Sequence, residues 1–384
     1  GNDANPGTKD RPFATLQRAR DEIRRLKVSG PLPAGGISVE GQSVQLDRAS
    51  NQVWIPGRGK ARLPLTTGLD GQVLAQPTRI DVDWQGQMNF DGQVLSFHNN
   101  VKLRGPDQEL RMHNLSVHLT QPVRMDQAPN RMNAPQIAHV LGQGDVFMEQ
   151  SAHEGAQLVA VERMNLASIR IHPSRGGISG DGPGWLTSVR KGMSPRDFRL
   201  GANRVRAEQS TADTSGGNEL TSLRIDFQRG IEGNLKRREL HFVEQVRATL
   251  GAVEDWNLAV DARRVGTSDD TFGLLCDRLS VVQMQSATSS RPSFELVATG
   301  NTTIEDNGFT ARAYRLSYAQ EKDLLVLEGD GRSDALLWRQ TRIGAPRDQA
   351  AAGKIYFWPS TNRIKVDDIR MLEFGSLGKN PGGA

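Results

Sequence analysis

The chain of 384 residues carries 48 Lys and Arg against 44 Asp and Glu, a formal net charge of +4, with 36% apolar residues, 40 Gly and one Cys. Such a length buries a large core, but the low apolar content, a mean hydropathy of −0.51 and the supply of Gly, Asn, Asp and Gln argue against a compact α/β enzyme and for many short strands joined by turns. Arg is scattered rather than gathered in runs, the pattern of solvated strand faces and not of a nucleic-acid footprint; no apolar stretch approaches the ~18 residues of a membrane span, and the lone Cys276 excludes an intrachain disulfide.

Residues 1–38 stand apart. Within GNDANPGTKDRPFATLQRARDEIRRLK a turn-rich lead-in gives way to Leu16, Ala19, Ile23 and Leu26 on one face at helical spacing, with Thr15 as N-cap. This short segment is the one substantial helix the sequence predicts. From Val39 the period changes to two. In IDVDWQGQMNF, Ile80, Val82, Trp84, Met88 and Phe90 line one face of a strand, and Asp81, Asp83, Gln85, Gln87 and Asn89 meet water on the other. Asp91-Gly92 marks a turn, after which alternation resumes through Leu95, Phe97, Val101 and Leu103.

The hairpin returns later in the chain. LRIDFQRG followed by LHFVEQVRATLG, from Leu223 to Gly251, sets Phe227 against Trp84, Phe242 against Phe97 and Val246 against Val101. Short strands closed by Gly turns recur as QVWIPGRG from Gln52, GISGDGPGWL from Gly177 and LLVLEGDG from Leu324. A repeat on this scale predicts related units at 39–150, 151–265 and 266–376, each with an apolar sheet face that must be covered by stacking or by folding over. Segments 121–136, 208–219, 286–293 and 343–353 are rich in Pro, Gly and Ser and read as crossings between hairpins; residues 377–384 read as a disordered tail.

Motifs for the common chemistries are missing from the sequence: it contains no HExxH, CxxC, GxxxxGK[ST] or GxSxG. The glycines of GDGPG, from Gly180, suit a hairpin turn better than a phosphate cradle, because no Lys follows them. His98, His113, His118 and His241 fall at polar strand positions or turns, so neither a metal site nor a cofactor is expected. Asp81 and Asp83 share a face about 7 Å apart, a spacing able to flank a sugar but equally the outcome of solvent-face alternation. Asp269-Asp270 and Asp367-Asp368 are adjacent and point apart in extended chain. A non-catalytic protein is the expectation.

Two resemblances bear on function. Residues 1–36, through GNDANPGT, PFATLQRA and PLPAGG, resemble the N-terminal entrance of right-handed parallel β-helix proteins of the surface and carbohydrate-active kind, although no regular coil repeat follows Gly36. Over most of residues 40–375, QVWIPGRG, IDVDWQGQMNFDGQ, LSFHNNVKLRG and FTARAYRLSYAQEKDLLVLEGDG look like the OstA-like superfamily of lipopolysaccharide-transport β-jellyrolls. The family signature ends in an x-x-N-V strand, an element that stands here as Asn100-Val101, Gln245-Val246 and, more loosely, Asn301-Thr302.

The second resemblance implies an all-β fold, an elongated antiparallel β-jellyroll with repeated units behind the short N-terminal helical segment. It implies a periplasmic, exported bacterial protein that holds acyl chains of lipopolysaccharide or a similar amphiphile in an apolar trough. Partners implied are other β-jellyroll transport proteins, joined through edge strands. On that reading Val82, Trp84, Met88, Phe90, Phe97, Val101, Phe227, Phe242 and Val246 line the trough, and Arg104, Arg111 and Arg247 meet lipid phosphate at its rim. The first resemblance implies instead a secreted or surface protein that binds or cleaves carbohydrate.

Overall fold

The computed structural model describes residues 38–47, 50–68, 73–123, 136–191, 219–268, 271–284, 293–340, 347–361 and 363–373. The expected N-terminal helix and C-terminal tail lie outside these residues. The strands are β1 (Ser38–Gly41), β2 (Gln45–Asp47), β3 (Gln52–Ile55), β4 (Gly59–Thr67), β5 (Val73–Trp84), β6 (Met88–Phe90), β7 (Val94–Arg104) and β8 (Gln108–Leu119). They continue with β9 (Ile137–Glu154), β10 (Gln157–His172), β11 (Gly177–Asp181), β12 (Gly184–Lys191), β13 (Leu220–Phe227), β14 (Gly230–Asn234) and β15 (Glu239–Val253). The last are β16 (Thr271–Met284), β17 (Ser293–Asp306), β18 (Phe309–Ala319), β19 (Leu324–Glu328), β20 (Ala335–Gln340), β21 (Arg347–Trp358) and β22 (Arg363–Glu373). All belong to one antiparallel sheet, so the all-β expectation holds.

The pairing gives this sheet two walls. On one side of a bend the long strands β7 to β10, β15 to β18, β21 and β22 pair through β1, β4, β5, β12, β13 and β20. On the other side the same long strands pair through β2, β3, β6, β11, β14 and β19. Each long strand thus crosses from the first wall to the second, and short strands separated by tight turns do so in two pieces.

The bend is made by pairs of left-handed residues. Asn99 and Asn100 have φ of 65° and 51°, Gly144 and Asp145 77° and 46°, Glu244 and Gln245 70° and 49°, Gly300 and Asn301 76° and 45°. Each pair sits at a break in the ladder register, in β7, β9, β15 and β17. Residues added on one strand only bend it and sharpen its twist. Asn, Asp and Gly adopt this conformation readily, whereas Glu244 and Gln245 do so at a cost of about 1–2 kcal/mol each. The next side chain after each pair is buried: Val101, Val146, Val246 and Thr302 are all at 2% exposure or less. The polar pair turns the strand, and its successor anchors it in the interior.

Bending brings the inner faces together. Trp84 of the first wall meets Phe97 of the second with ring centroids 5.1 Å apart. Phe227 meets Phe242 at 5.5 Å, and Phe309 meets Phe357 at 5.5 Å. All six rings are at most 2% exposed and belong to a single hydrophobic cluster that runs along the bend. Burial of each such ring stabilises the fold by roughly 1.5–3 kcal/mol. The hairpin repeat visible in the sequence is therefore a repeat of wall-to-wall contacts. Its first member closes at the Asp91 turn, where Asp91 Oδ1 accepts from the backbone N–H groups of Gln93 at 2.9 Å and Val94 at 2.7 Å. Burial opposes the charge on that carboxyl, but these backbone bonds outweigh it and hold Asp91 below the usual carboxylate range.

The bend predicts an asymmetry between substitutions at one position. We predict that Gln245→Val, a β-branched side chain at positive φ, lowers stability to urea by about 1–3 kcal/mol, while Gln245→Gly leaves it unchanged or raises it. Equal midpoints for the two variants in urea titrations would refute the role given to the left-handed pair.

Candidate functional site

Packing between the walls loosens in the middle of the chain. There a cavity of about 340 Å³ lies between β12, β13 and the start of β16 on the first wall and the start of β15, the end of β16 and β17 on the second. Its floor, nearest the bend, is Ile225, Phe242, Ala248, Leu274 and Leu279, all buried. Its sides are Leu186, Leu223, Leu235, Leu240, Leu250, Phe272, Val281 and Leu296. The side chains occupy alternate positions of each strand, such as Leu223 with Ile225 and Leu240 with Phe242, because one face of a strand points inward. Apart from Leu250 these side residues are only half-buried, although they pack on the core. Apolar groups here have neighbours on one side and open space on the other.

The mouth is polar. The cavity's polar lining is Glu162, Ser188, Arg190, Asn234, Arg238, Glu239 and Gln283, with Ser188 buried on the rung of Leu223 and Arg190 and Arg238 furthest from the bend, near Phe294. Arg190 donates through Nη2 to Glu162 Oε1 at 2.5 Å and through Nε to Ser188 Oγ at 3.1 Å. Its guanidinium also lies 5.8 Å from the centre of the Phe294 ring on the opposite wall, so one side chain bridges the opening. Glu239 lies 3.1 Å from His241 Nε2. Arg238 sits in a turn pinned on three sides: Leu235 N donates to Gly176 O at 2.7 Å, Arg237 N to Asn234 Oδ1 at 3.1 Å, and Gln283 N to Arg238 O at 3.0 Å. The Arg238 side chain is exposed and has no carboxylate partner among the described residues.

Of the apolar residues singled out in the sequence, Phe242 forms part of the cavity floor. Val82, Trp84, Met88, Phe97, Val101, Phe227 and Val246 are packed in the core at 5% exposure or less, and Phe90 is half-buried. Trp84 satisfies its indole by donating from Nε1 to Gly57 O at 3.0 Å. The three arginines lie on the outer face of the first wall. Arg104 pairs with Asp83, Arg111 pairs with Glu109 and covers the Phe147 ring at 5.5 Å, and Arg247 lines an outer cleft of about 610 Å³ beside Asp226 and Asp277. Asp81 is held by Arg62 at 3.1 Å and Lys60 at 4.0 Å, so both acids of that strand face cations.

Six of the seven histidines are spread over the outer surface of the second wall and the bend, while His153 lies on the first wall, 3.4 Å from Asp107. His118 stacks on His139 at 4.0 Å, with His172 5.5 Å further along; burial, then the two neighbouring imidazoles and Arg170, keep His139 below the usual histidine range. His98 meets Asn114 at 3.2 Å and His241 meets Ser280 at 2.7 Å. Among the described residues no group of three or more His, Cys, Asp or Glu is arranged to hold a metal ion. Comparison with known proteins gives no match to a family model, to a curated protein or to a solved structure.

Cys276, two residues beyond the floor's Leu274 in β16, pairs with Val246, is 4% exposed and belongs to the residues around the outer cleft. Burial, reinforced by Asp277, pushes its thiol up to about 12, so the reactive thiolate is scarce at neutral pH. Iodoacetamide at pH 8 is expected to leave Cys276 unmodified in the folded chain and to alkylate it fully in urea, as read by intact-mass spectrometry. Alkylation of the folded chain at the rate of a free thiol would show that the packing around Cys276 opens to solvent.

Proposed function

We propose that this chain is a non-catalytic lipid-binding protein that holds an acyl chain of lipopolysaccharide, or of a similar amphiphile, between the walls of its bent sheet. The observation that carries this reading is the apolar cavity of about 340 Å³, floored by Phe242 and Ala248 and walled by half-buried leucines. That volume falls within the range of small-molecule sites. Each methylene moved into it from water gains roughly 0.8 kcal/mol, with no polar contact required. A saturated chain fits such chemistry better than a sugar, which would leave its hydroxyls unpaired.

The resemblance to the OstA-like β-jellyrolls supports the rest of the proposal: a periplasmic setting, and a role in moving the amphiphile towards the outer membrane. The chain then transforms nothing and supplies only an apolar resting place. Contact with other β-jellyroll transport proteins would use the sheet edges, of which β22 has one strand neighbour and exposes Ile369, Met371 and Leu372.

A photo-reactive benzoylphenylalanine in place of Leu240, in a strain that exports the chain, should form an adduct with the mass of lipopolysaccharide or another acyl lipid. An adduct to residues 192–218 of the same chain, or none at all, would overturn the proposal. In the purified protein, Ala248→Phe fills the floor and should weaken binding of the neutral fluorophore N-phenyl-1-naphthylamine at least about tenfold while leaving the thermal unfolding transition in place.

A further inference from the structure

Resting on the lipid-binding reading, we infer that the cavity takes up one acyl chain tail-first and that Arg238 holds the anionic group of that amphiphile, a carboxylate or a phosphate, at the mouth. The polarity of the lining runs in one direction. From Phe242 and Ala248 at the bend through Ile225 and Leu186 the lining carries no charge; Glu162 enters on the rung of Leu223 and Leu250, and Arg190 and Arg238 lie further from the bend. A ligand matched to this gradient is apolar at one end and charged at the other. The volume of about 340 Å³ lies near the lower end of small-molecule sites and suits a single chain.

The sign of the charge is set by the partners already present. Arg190 is paired with Glu162 at 2.5 Å, and Glu239, which alternates with the inward-facing Leu240, turns its carboxylate to the outer face beside His241. Lys236, next to the mouth, donates from Nζ to Ser174 O at 2.6 Å and does not line the cavity. Arg238 is left as the cation of the lining whose charge no carboxylate among the described residues balances. Its backbone is fixed at φ 53° and tied to Gln283 on the neighbouring strand, so the side chain starts from a defined place at the edge of the opening. A guanidinium fork presents paired donors to the two oxygens of a carboxylate or phosphate. Because the group is exposed before binding, it gives up no burial energy while it waits, and its attraction to an anion weakens with salt.

The test uses the full-length protein, with cis-parinaric acid and its uncharged methyl ester as fluorescent probes at low ionic strength. The acid should bind at least about tenfold more tightly than the ester, with one molecule per chain. Arg238→Glu should remove that preference while leaving ester binding unchanged, and Arg238→Lys should restore part of it. Displacement by a monoacylglycerol phosphate beyond that by the uncharged monoacylglycerol would assign the head as phosphate; displacement by dodecanoate alone would assign it as carboxylate. Unchanged acid binding in Arg238→Glu, equal affinities for acid and ester in the wild type, or two molecules per chain would overturn the inference while the lipid-binding reading stands. Failure of both probes to bind the wild-type chain would instead remove the reading on which it rests.

Discussion

The structure depends on four pairs of residues held at positive φ. Without Asn99-Asn100, Gly144-Asp145, Glu244-Gln245 and Gly300-Asn301 the long strands would run straight, and the sheet would expose an apolar face along its whole length. No second sheet is supplied by another part of the described chain. The sheet covers itself, and it does so because the residue after each pair, from Val101 to Thr302, is drawn into the interior. Strain spent at Glu244 and Gln245, on the order of 1–2 kcal/mol each, is small beside the apolar burial that the bend makes possible.

Closure is uneven, and that unevenness separates core from cavity. Where two aromatic rings face each other near the bend, as Trp84 and Phe97 do, the walls meet and nothing else fits. Further from the bend the facing residues are leucines, a valine and a phenylalanine whose reach is shorter than the gap between the walls, so Leu223 and Phe272 look across open space. The same alternation of apolar side chains builds both regions. Depth from the bend decides which one results.

Much of this was legible in the residues. Period-two alternation from Ile80 identified the dry face, and the matching of Trp84 with Phe227 and of Phe97 with Phe242 marked the repeat that the ring contacts now explain. Asn100-Val101, Gln245-Val246 and Asn301-Thr302 stood out as motifs, but their conformation did not. Glu-Gln carries no left-handed signature, and Gly144-Asp145-Val146 went unnoticed because its glycine reads as an ordinary turn. The third ring pair, Phe309 with Phe357, joins distant strands that no short motif connects. The cavity was hidden for a different reason. Alternation tells which way Leu240 points, whereas a void depends on how far the opposite wall lies, and that distance is a property of the assembled sheet. The same holds for Arg238, whose importance comes from the carboxylates that its neighbours find and it does not.

The ladder hydrogen bonds run within each wall, from strand to adjacent strand, while the facing walls meet through side chains such as Arg190 over Phe294. A hand closing from the knuckles is the nearest mechanical likeness. The bend and the ladders rest on different interactions, the left-handed pairs turning the strands and every rung lying within one wall. A guest of the proposed kind, lodged between the walls, would meet side chains alone and would break no rung of either ladder.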